Sequence, residues 1–354
     1  MKTTRLPAAL LATALVAAMA ACAGPSSAAG DATTGPADEV RVGYFANVTH
    51  AAALVGVGGG YFEKELGDTA LTTEVFNAGP AELEALNAGA IDVAFIGPNP
   101  AINGFVKSHG EALKIVAGAA SGGAALVVRD GIDSPADLKG TKIASPQLGN
   151  TQDVALRVWL ADQGYTADLK GGGDVAVTPT DNAQTLQLFR SGDLDGGWLP
   201  EPWASRLVLE AGAHVLVDEK DLWPDGKFVT TNVVVRTEFL EEHPQTVEAL
   251  LRGELAAIKA LTDDPTGSSK LVNDLIADAS GKPLPQEVLD RAFSNIEFTV
   301  DPLAGTLQTV IDHGVAAGTT QDADLTGIYD LRPLNAVLTA DGQDPVSAAG
   351  LGKE

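Results

Sequence analysis

One pattern occurs twice in this chain and limits its fold more than any other feature. Leu86-Asn87-Ala88-Gly89-Ala90-Ile91-Asp92-Val93-Ala94-Phe95-Ile96 reads as a helix end, a glycine, an apolar residue, an aspartate and a buried strand. Phe189-Arg190-Ser191-Gly192-Asp193-Leu194-Asp195-Gly196-Gly197-Trp198-Leu199 repeats that order. A glycine at such a place ends a helix in the left-handed conformation, and an apolar run without alternation marks a strand covered on both faces. Strands over 40–44 and 141–145 stand in the same place before each copy. The expectation is an α/β chain of two similar lobes, each a mostly parallel sheet flanked by helices, with a ligand cleft between them. The helical patterns after Pro244 have no counterpart in the second half. The second lobe therefore reads as an insertion: lobe 1 is 40–123 plus 227–338, lobe 2 is 124–226, and two strands cross between them. Residues 339–354 read as a loose C-terminal tail.

The N-terminus gives an address. Lys2 and Arg5 precede an apolar run over 6–21, which is a secretory signal peptide (1–21) rather than a spanning helix. It ends in Met19-Ala20-Ala21-Cys22, small residues before a cysteine, as in a bacterial lipobox. Cys22 is then the lipidated mature N-terminus, and residues 22–39 form a flexible tether of small and polar residues. No twin-arginine pair is present, so general secretion is the expected route. This places the protein at the cell membrane, lipid-anchored on the extracytoplasmic side. Cys22 is the single cysteine, so neither an intrachain disulfide nor a cysteine-based site in the folded lobes is available.

With a formal net charge of −24, the surface repels nucleic acid, and it repels anions at long range. Any anion site must work through local dipoles. No catalytic constellation appears. His50, His109, His214, His243 and His313 are scattered without metal-ligand spacing. Gly58-Gly59-Gly60 follows a helix instead of joining strand to helix, so it is not a dinucleotide loop. No enzyme activity, metal or cofactor is expected.

Alternating βα units leave crevices at the carboxyl ends of strands, where ligands bind. The loops at those ends are 45–50, 97–100, 121–123, 148–152 and 198–203. From them come the candidate ligand residues Asn47, His50, Asn99, Ser121, Gly122, Asn150, Thr151, Gln152, Trp198 and Glu201. In the 148–157 segment a polar turn opens directly into a helix, with Asn150 as N-cap and Asp153 completing a capping-box pattern. A helix start offers free N–H groups and a partial positive charge, which can hold an anion without a basic side chain. His50 sits in a ligand loop, though a histidine there is more often simply a polar loop residue. Trp198 and Trp203 either wall a small ligand or belong to the core. Glu201 either takes a ligand amine, orients side chains or locks the lobes, or is a solvated carboxylate at a helix start.

The chain resembles the substrate-binding lipoproteins of ABC importers in the nitrate/sulfonate/taurine group. The resemblance rests on Val42-Gly43-Tyr44, Gly60-Tyr61-Phe62-Glu63-Lys64, Gly79-Pro80, Leu86-Asn87-Ala88-Gly89 and Asp137-Leu138-Lys139-Gly140-Thr141-Lys142-Ile143-Ala144. It rests further on Gly149-Asn150-Thr151, Trp198-Leu199-Pro200-Glu201-Pro202-Trp203, Tyr329-Asp330-Leu331 and Leu334-Asn335. It implies a hinged two-lobed fold of the type II periplasmic-binding-protein kind, which closes on one ligand as a monomer. It also implies delivery to a membrane permease and its ATPase. The ligand it implies is a small organic anion, foremost an aliphatic sulfonate. Taurine, nitrate, bicarbonate and a thiamin-pyrimidine-like heterocycle are the alternatives, and a few enzymes share the fold. Sulfonate binders of this group often carry a serine-rich turn where this chain has Gly149-Asn150-Thr151, and no pocket arginine or lysine is evident.

Overall fold

A computed structural model describes residues 35–354 and places their strands in two sheets. The signal peptide, Cys22 and the tether up to residue 34 lie outside the described residues. In chain order the strands are β1 (Glu39–Phe45), β2 (Ala70–Phe76), β3 (Val93–Ile96), β4 (Leu113–Gly122) and β5 (Ala124–Val128). There follow β6 (Lys142–Ser145), β7 (Ala176–Pro179), β8 (Gly196–Pro200) and β9 (His214–Asp218). The last are β10 (Val229–Arg236), β11 (Ile296–Phe298), β12 (Tyr329–Asp330) and β13 (Gly352–Lys353). The larger sheet runs β13-β12-β4-β10-β3-β1-β2, with β11 beside β4, and the smaller runs β7-β6-β8-β5-β9.

Both sheets are covered on two faces, as the unalternating apolar runs require. Val93 and Phe95 enter one core while Ala94 and Ile96 enter another. Trp198 and Leu199 divide in the same way across the smaller sheet. The strands that feed helices are parallel: β1 with β2 and β3, and β6 with β7 and β8. The first strand after each crossing runs the other way. β5 is antiparallel to β8 and β9, and β10 is antiparallel to β3 and β4. Each sheet is thus parallel with an antiparallel insertion, because a chain entering from the other sheet must point back along it.

The repeated pattern is a repeated structure. Gly89 and Gly192 both have positive φ, 67° and 86°. The Asp92 N–H donates to the Arg41 carbonyl (2.8 Å), its carboxylate accepts from Arg41 N (3.1 Å), and its carbonyl accepts from Arg236 N (2.9 Å). Asp195 does the same with Lys142 O (2.8 Å), Lys142 N (2.8 Å) and Arg129 N (3.0 Å). Arginines close both sites: Arg41 and Arg236 on Asp92 at 2.7 and 3.0 Å, and Arg129 on Asp195 at 3.1 Å. Each aspartate pins its own strand to a parallel and an antiparallel neighbour.

The C-terminal segment corrects the expectation of a loose tail. β13 pairs with β12, and the Asn335 side chain holds Val346 through both its donor and its acceptor. Ala348 is buried with the second core, so the segment contributes apolar burial and edge pairing rather than dangling.

Candidate ligand-binding site

The carboxyl ends of the parallel strands in the two sheets meet around one small cavity. From the larger sheet it is lined by Phe45 at the end of β1, Asn47, Thr49 and His50 after it, Asn77 after β2, Gly97 after β3, and Thr230 in β10. From the smaller sheet come Asn150, Thr151 and Gln152 after β6, Asn182 after β7, and Pro200 in β8. The space left for water-sized atoms is about 20 Å³. These lining residues include no lysine, arginine, aspartate or glutamate.

Five helices begin at this wall: Ala51–Gly58, Gly79–Asn87, Pro98–Lys107, Thr151–Asp162 and Asn182–Ser191. His50, Gly97 and Asn150 are the N-cap residues of three of them, Asn77 stands one residue before a fourth N-cap, and Asn182 opens the fifth. The first four have no side-chain hydrogen bond from their N-cap residue. The first four starts each carry a partial positive charge of about half a unit from N–H groups the helix leaves unpaired, whereas at the fifth the Asp181 carboxylate accepts from Ala183 N at 2.9 Å and offsets it. Their convergence makes an uncharged cavity electropositive.

Single residues sharpen this. The Thr151 hydroxyl and the Asn182 side-chain oxygen are buried without a hydrogen-bond partner among the described residues. Buried polar atoms left so are rare in folded proteins and ask for a ligand or water. Gly97 makes room for that hydroxyl, since a Cβ there would lie 2.4 Å from Thr151 Oγ1. Asn150 donates to Gln152 at 3.2 Å. The Asn47 side-chain oxygen accepts from Trp203 Nε1 at 2.8 Å. His50 is buried, its Nδ1 accepts from the Phe45 N–H at 3.3 Å, and burial pushes its pKa down to about 3. It is therefore neutral at ordinary pH, with the proton on Nε2.

The capping box expected at Asn150 and Asp153 is not formed. Asp153 is fully buried and turns inward, accepting from Ser145 Oγ (2.6 Å), Gly149 N (3.0 Å) and Arg157 Nε (3.0 Å). A buried carboxylate needs a cation, and Arg157 one turn on supplies it. The outcome still serves the site, because Asp153 fixes the loop that presents Asn150 and Thr151.

The structure gathers Asn47, His50, Asn150, Thr151 and Gln152 around the cavity and leaves the other candidates outside its wall. Asn99 is buried and donates to the Val310 carbonyl at 3.4 Å. Ser121 and Gly122 end β4 at the crossing, where the Gly122 carbonyl accepts from the Thr230 hydroxyl. Trp198 is completely buried, donates to Glu219 at 2.7 Å and packs 6.0 Å from Trp159. Its place is the core of the smaller sheet, and this placement does not fit the reading of Trp198 as a ligand wall. Both Glu201 oxygens are engaged, by Ser205 N and Oγ and by Asn295 Nδ2 at 2.7 Å. Glu201 thus ties the smaller sheet's layer to the larger one's. Asn77, Gly97, Asn182 and Thr230 were not singled out by sequence reasoning. For Asn77 and Asn182 a signal exists: Asn77 is a carboxamide between a strand and the helix that follows, and Asn182 is the first residue of such a helix.

Comparison with known proteins agrees with this architecture. The profile of the NMT1-like family matches residues 33–276. A Brucella abortus protein named only as a candidate binding protein is 30% identical over 247 residues, 67% of this chain and 70% of its own length. The taurine-binding periplasmic protein of Escherichia coli is 26% identical over 208 residues, 58% of this chain and 61% of that protein. Among solved structures, the alkanesulfonate-binding protein of Xanthomonas axonopodis bound to MOPS has a TM-score of 0.67 at 24% identity. That match covers 81% of this chain and 95% of the other, and the shared fold is that of periplasmic binding proteins.

Proposed function

The chain belongs to the NMT1-like family, and from that premise we propose that it captures a small organic oxyanion, foremost an aliphatic sulfonate, between its two sheets. It is a substrate-binding protein of an ABC importer and not an enzyme. One observation carries the choice of an anion. Four helix starts without a side-chain cap converge on a cavity that is lined by no lysine, arginine, aspartate or glutamate but holds the unpartnered Thr151 hydroxyl. Such a site binds a negative group by N–H donors and hydroxyls alone. It suits a chain of net charge −24, whose long-range field repels anions. The taurine and alkanesulfonate binders named above support the sulfonate class.

The reading has further parts. The lobes are taken as 40–123 plus 227–338, with the C-terminal segment that pairs through β13 added to the same lobe, and 124–226, closing about the crossings. Cys22 carries the lipid anchor on the extracytoplasmic side, and the closed monomer delivers its ligand to the permease and its ATPase. Among the described residues no helix is long and apolar enough to cross a membrane. Membrane fractionation of Cys22→Ser tests the anchor, which fails if the variant stays in the membrane fraction.

Calorimetry of the full chain against methanesulfonate, taurine, nitrate, bicarbonate and a pyrimidine tests the ligand class. A true ligand at about 100 times its Kd raises stability by roughly 2.7 kcal/mol. Binding of the pyrimidine alone overturns the anion reading. A second reading, nitrate, is favoured by the small space of about 20 Å³. It wins if nitrate binds more tightly than every sulfonate.

A further inference from the structure

The chain crosses between its sheets twice. At the first crossing Gly123 alone stands between β4 and β5, with a φ of 74°. The return, from β9 to β10, is longer and holds two short turns, Glu219–Leu222 and Pro224–Gly226. Glu219 opens the return and is buried there, outside the wall of the polar cavity. A carboxyl held away from water must find partners. Two indoles supply them, and they belong to different cores. Trp198 donates to Glu219 Oε2 at 2.7 Å from the core of the smaller sheet. The Trp223 N–H donates to the same carboxyl, while its ring packs on the second core of the larger sheet. There the ring stacks on Phe228 at 5.6 Å and meets His313, of the helix Leu307–Ala316, at 5.7 Å. Glu219 thus joins one core to the other through the crossing itself.

The charges around Glu219 do not balance it. Lys220 is turned to Asp218 at 2.8 Å, and Lys227 to Glu297 at 3.8 Å. Asp218, Asp221 and Asp225 on and beside the two turns are like charges. β5 brings no titratable side chain. β9 brings Asp218 and His214, whose Nε2 lies 3.1 Å from the Ile132 carbonyl. Behind Trp223, burial holds His313 below its ordinary pKa despite Asp162 and Asp312 nearby, so it adds no charge at neutral pH. Burial, helped by Asp218, therefore pushes the Glu219 carboxyl up to about 7 against the pull of the two indoles.

We propose that Glu219 is a proton-held joint: in the closed protein its neutral carboxyl bridges the two indoles, and on opening it meets water and gives up its proton. The inference rests on the lobes closing about a ligand, whichever anion that is. Rotation about the crossings moves apart the cores that hold Trp198 and Trp223, so the bridge belongs to the closed form. Once solvated, the carboxyl returns to its ordinary 4.5. Between 4.5 and 7 the closed form then holds a proton that the open form has lost. Closing takes up that proton. It is most favoured below 4.5, weakens as pH rises to 7, and is constant above that. Ligand affinity follows the same course, because the ligand binds the closed form better.

The test follows lobe opening in the full chain without ligand, by small-angle X-ray scattering from about pH 4.5 to about pH 8, for the native protein and Glu219→Gln. The amide is neutral at every pH and can still accept from both indoles. The native radius of gyration is expected to rise over that range, and the variant's to stay at the closed value. Calorimetry with taurine at about pH 6, in two buffers of different ionisation enthalpy, gives a second reading. Binding should take up roughly one proton in the native protein and none in the variant. Native affinity should fall by up to about tenfold per pH unit across the window. A native radius flat in pH, or a rise that the variant shares, overturns the joint. Taurine binding without proton uptake overturns it as well. Absence of taurine binding counts against the sulfonate reading instead, and the scattering alone then decides the joint.

Discussion

Trp203 Nε1 donates to Asn47 Oδ1 at 2.8 Å, joining a residue that follows β8 to one that follows β1. Asn47 lines the polar cavity, so a tryptophan in the smaller sheet's layer orients a cavity residue in the larger one's. Trp203→Phe keeps an aromatic ring under Arg206, now stacked at 4.7 Å, and removes the donor. The expected loss in ligand affinity is about 1 kcal/mol, or roughly fivefold in Kd. Calorimetry reads it, and an unaltered Kd would show that Asn47 needs no such support.

Among the described residues Thr151 offers a hydroxyl with no partner. Thr151→Val keeps the shape and removes the donor, so affinity for an anion falls by about 1.5–3 kcal/mol. The fold is spared, because no internal bond is broken. Valine at 151 with full affinity would remove this hydroxyl from the site.

Gly97→Ala attacks the same hydroxyl from the other side. Its Cβ would stand 2.4 Å from Thr151 Oγ1, and the cleft must either open or displace the hydroxyl. Overpacking of this kind costs about 1–3 kcal/mol. Here it is expected as a weaker Kd more than as a lower Tm, since the strain is felt in the closed form. A variant that binds as well as the native protein would show that the cleft closes less tightly.

The fold was legible because its strongest signals are local. A glycine after a helix and an aspartate before a strand state their geometry in sequence, and Asp92 and Asp195 turned out to make the same bonds. The site was legible only as far as its loops were. Asn47, His50 and residues 150–152 sit at strand ends that periodicity reveals, and they reach the cavity. Trp198 and Glu201 sit at such an end too, but their partners Glu219 and Asn295 come from distant segments. Asp153 misled for a related reason. A capping box and a buried ion pair both place an acid at the third helical position, and burial by the surrounding fold chose the second. Thr230 reaches the cavity from β10, a strand whose antiparallel insertion no local pattern announces.

That ion pair gives its own prediction. Arg157 and Asp153 have side chains only 3% and 0% exposed. Asp153→Ala leaves Arg157 buried with the Ala167 and Asp168 carbonyls as its remaining partners. The expected cost is about 3 kcal/mol of stability, read from the denaturant midpoint. Asp153→Ala together with Arg157→Met should recover much of it, because the uncompensated charge is gone. A single variant as stable as the native chain would show that the two carbonyls suffice.

Glu219 makes stability depend on pH. Burial pushes its carboxyl up to about 7, and the nearby Asp218 adds to the rise, against the hydrogen bond from Trp198. Its ordinary value is 4.5. Between 4.5 and 7 the folded chain therefore holds a proton that the unfolded chain has lost. Stability from this group is complete below 4.5 and drains away as pH rises through 7. His50 works in the opposite sense. Its pKa falls from 6.5 to about 3, so the unfolded chain takes up a proton first and stability declines as pH falls below 6.5. The two slopes oppose each other across the mildly acidic range. Glu219→Gln is neutral at every pH and can still accept from Trp198. The variant should become more stable relative to the native chain as pH rises from 4 to 8, by a total on the order of 3 kcal/mol. Parallel stability profiles for the two proteins, measured by urea unfolding across that range, would show that Glu219 keeps its ordinary pKa.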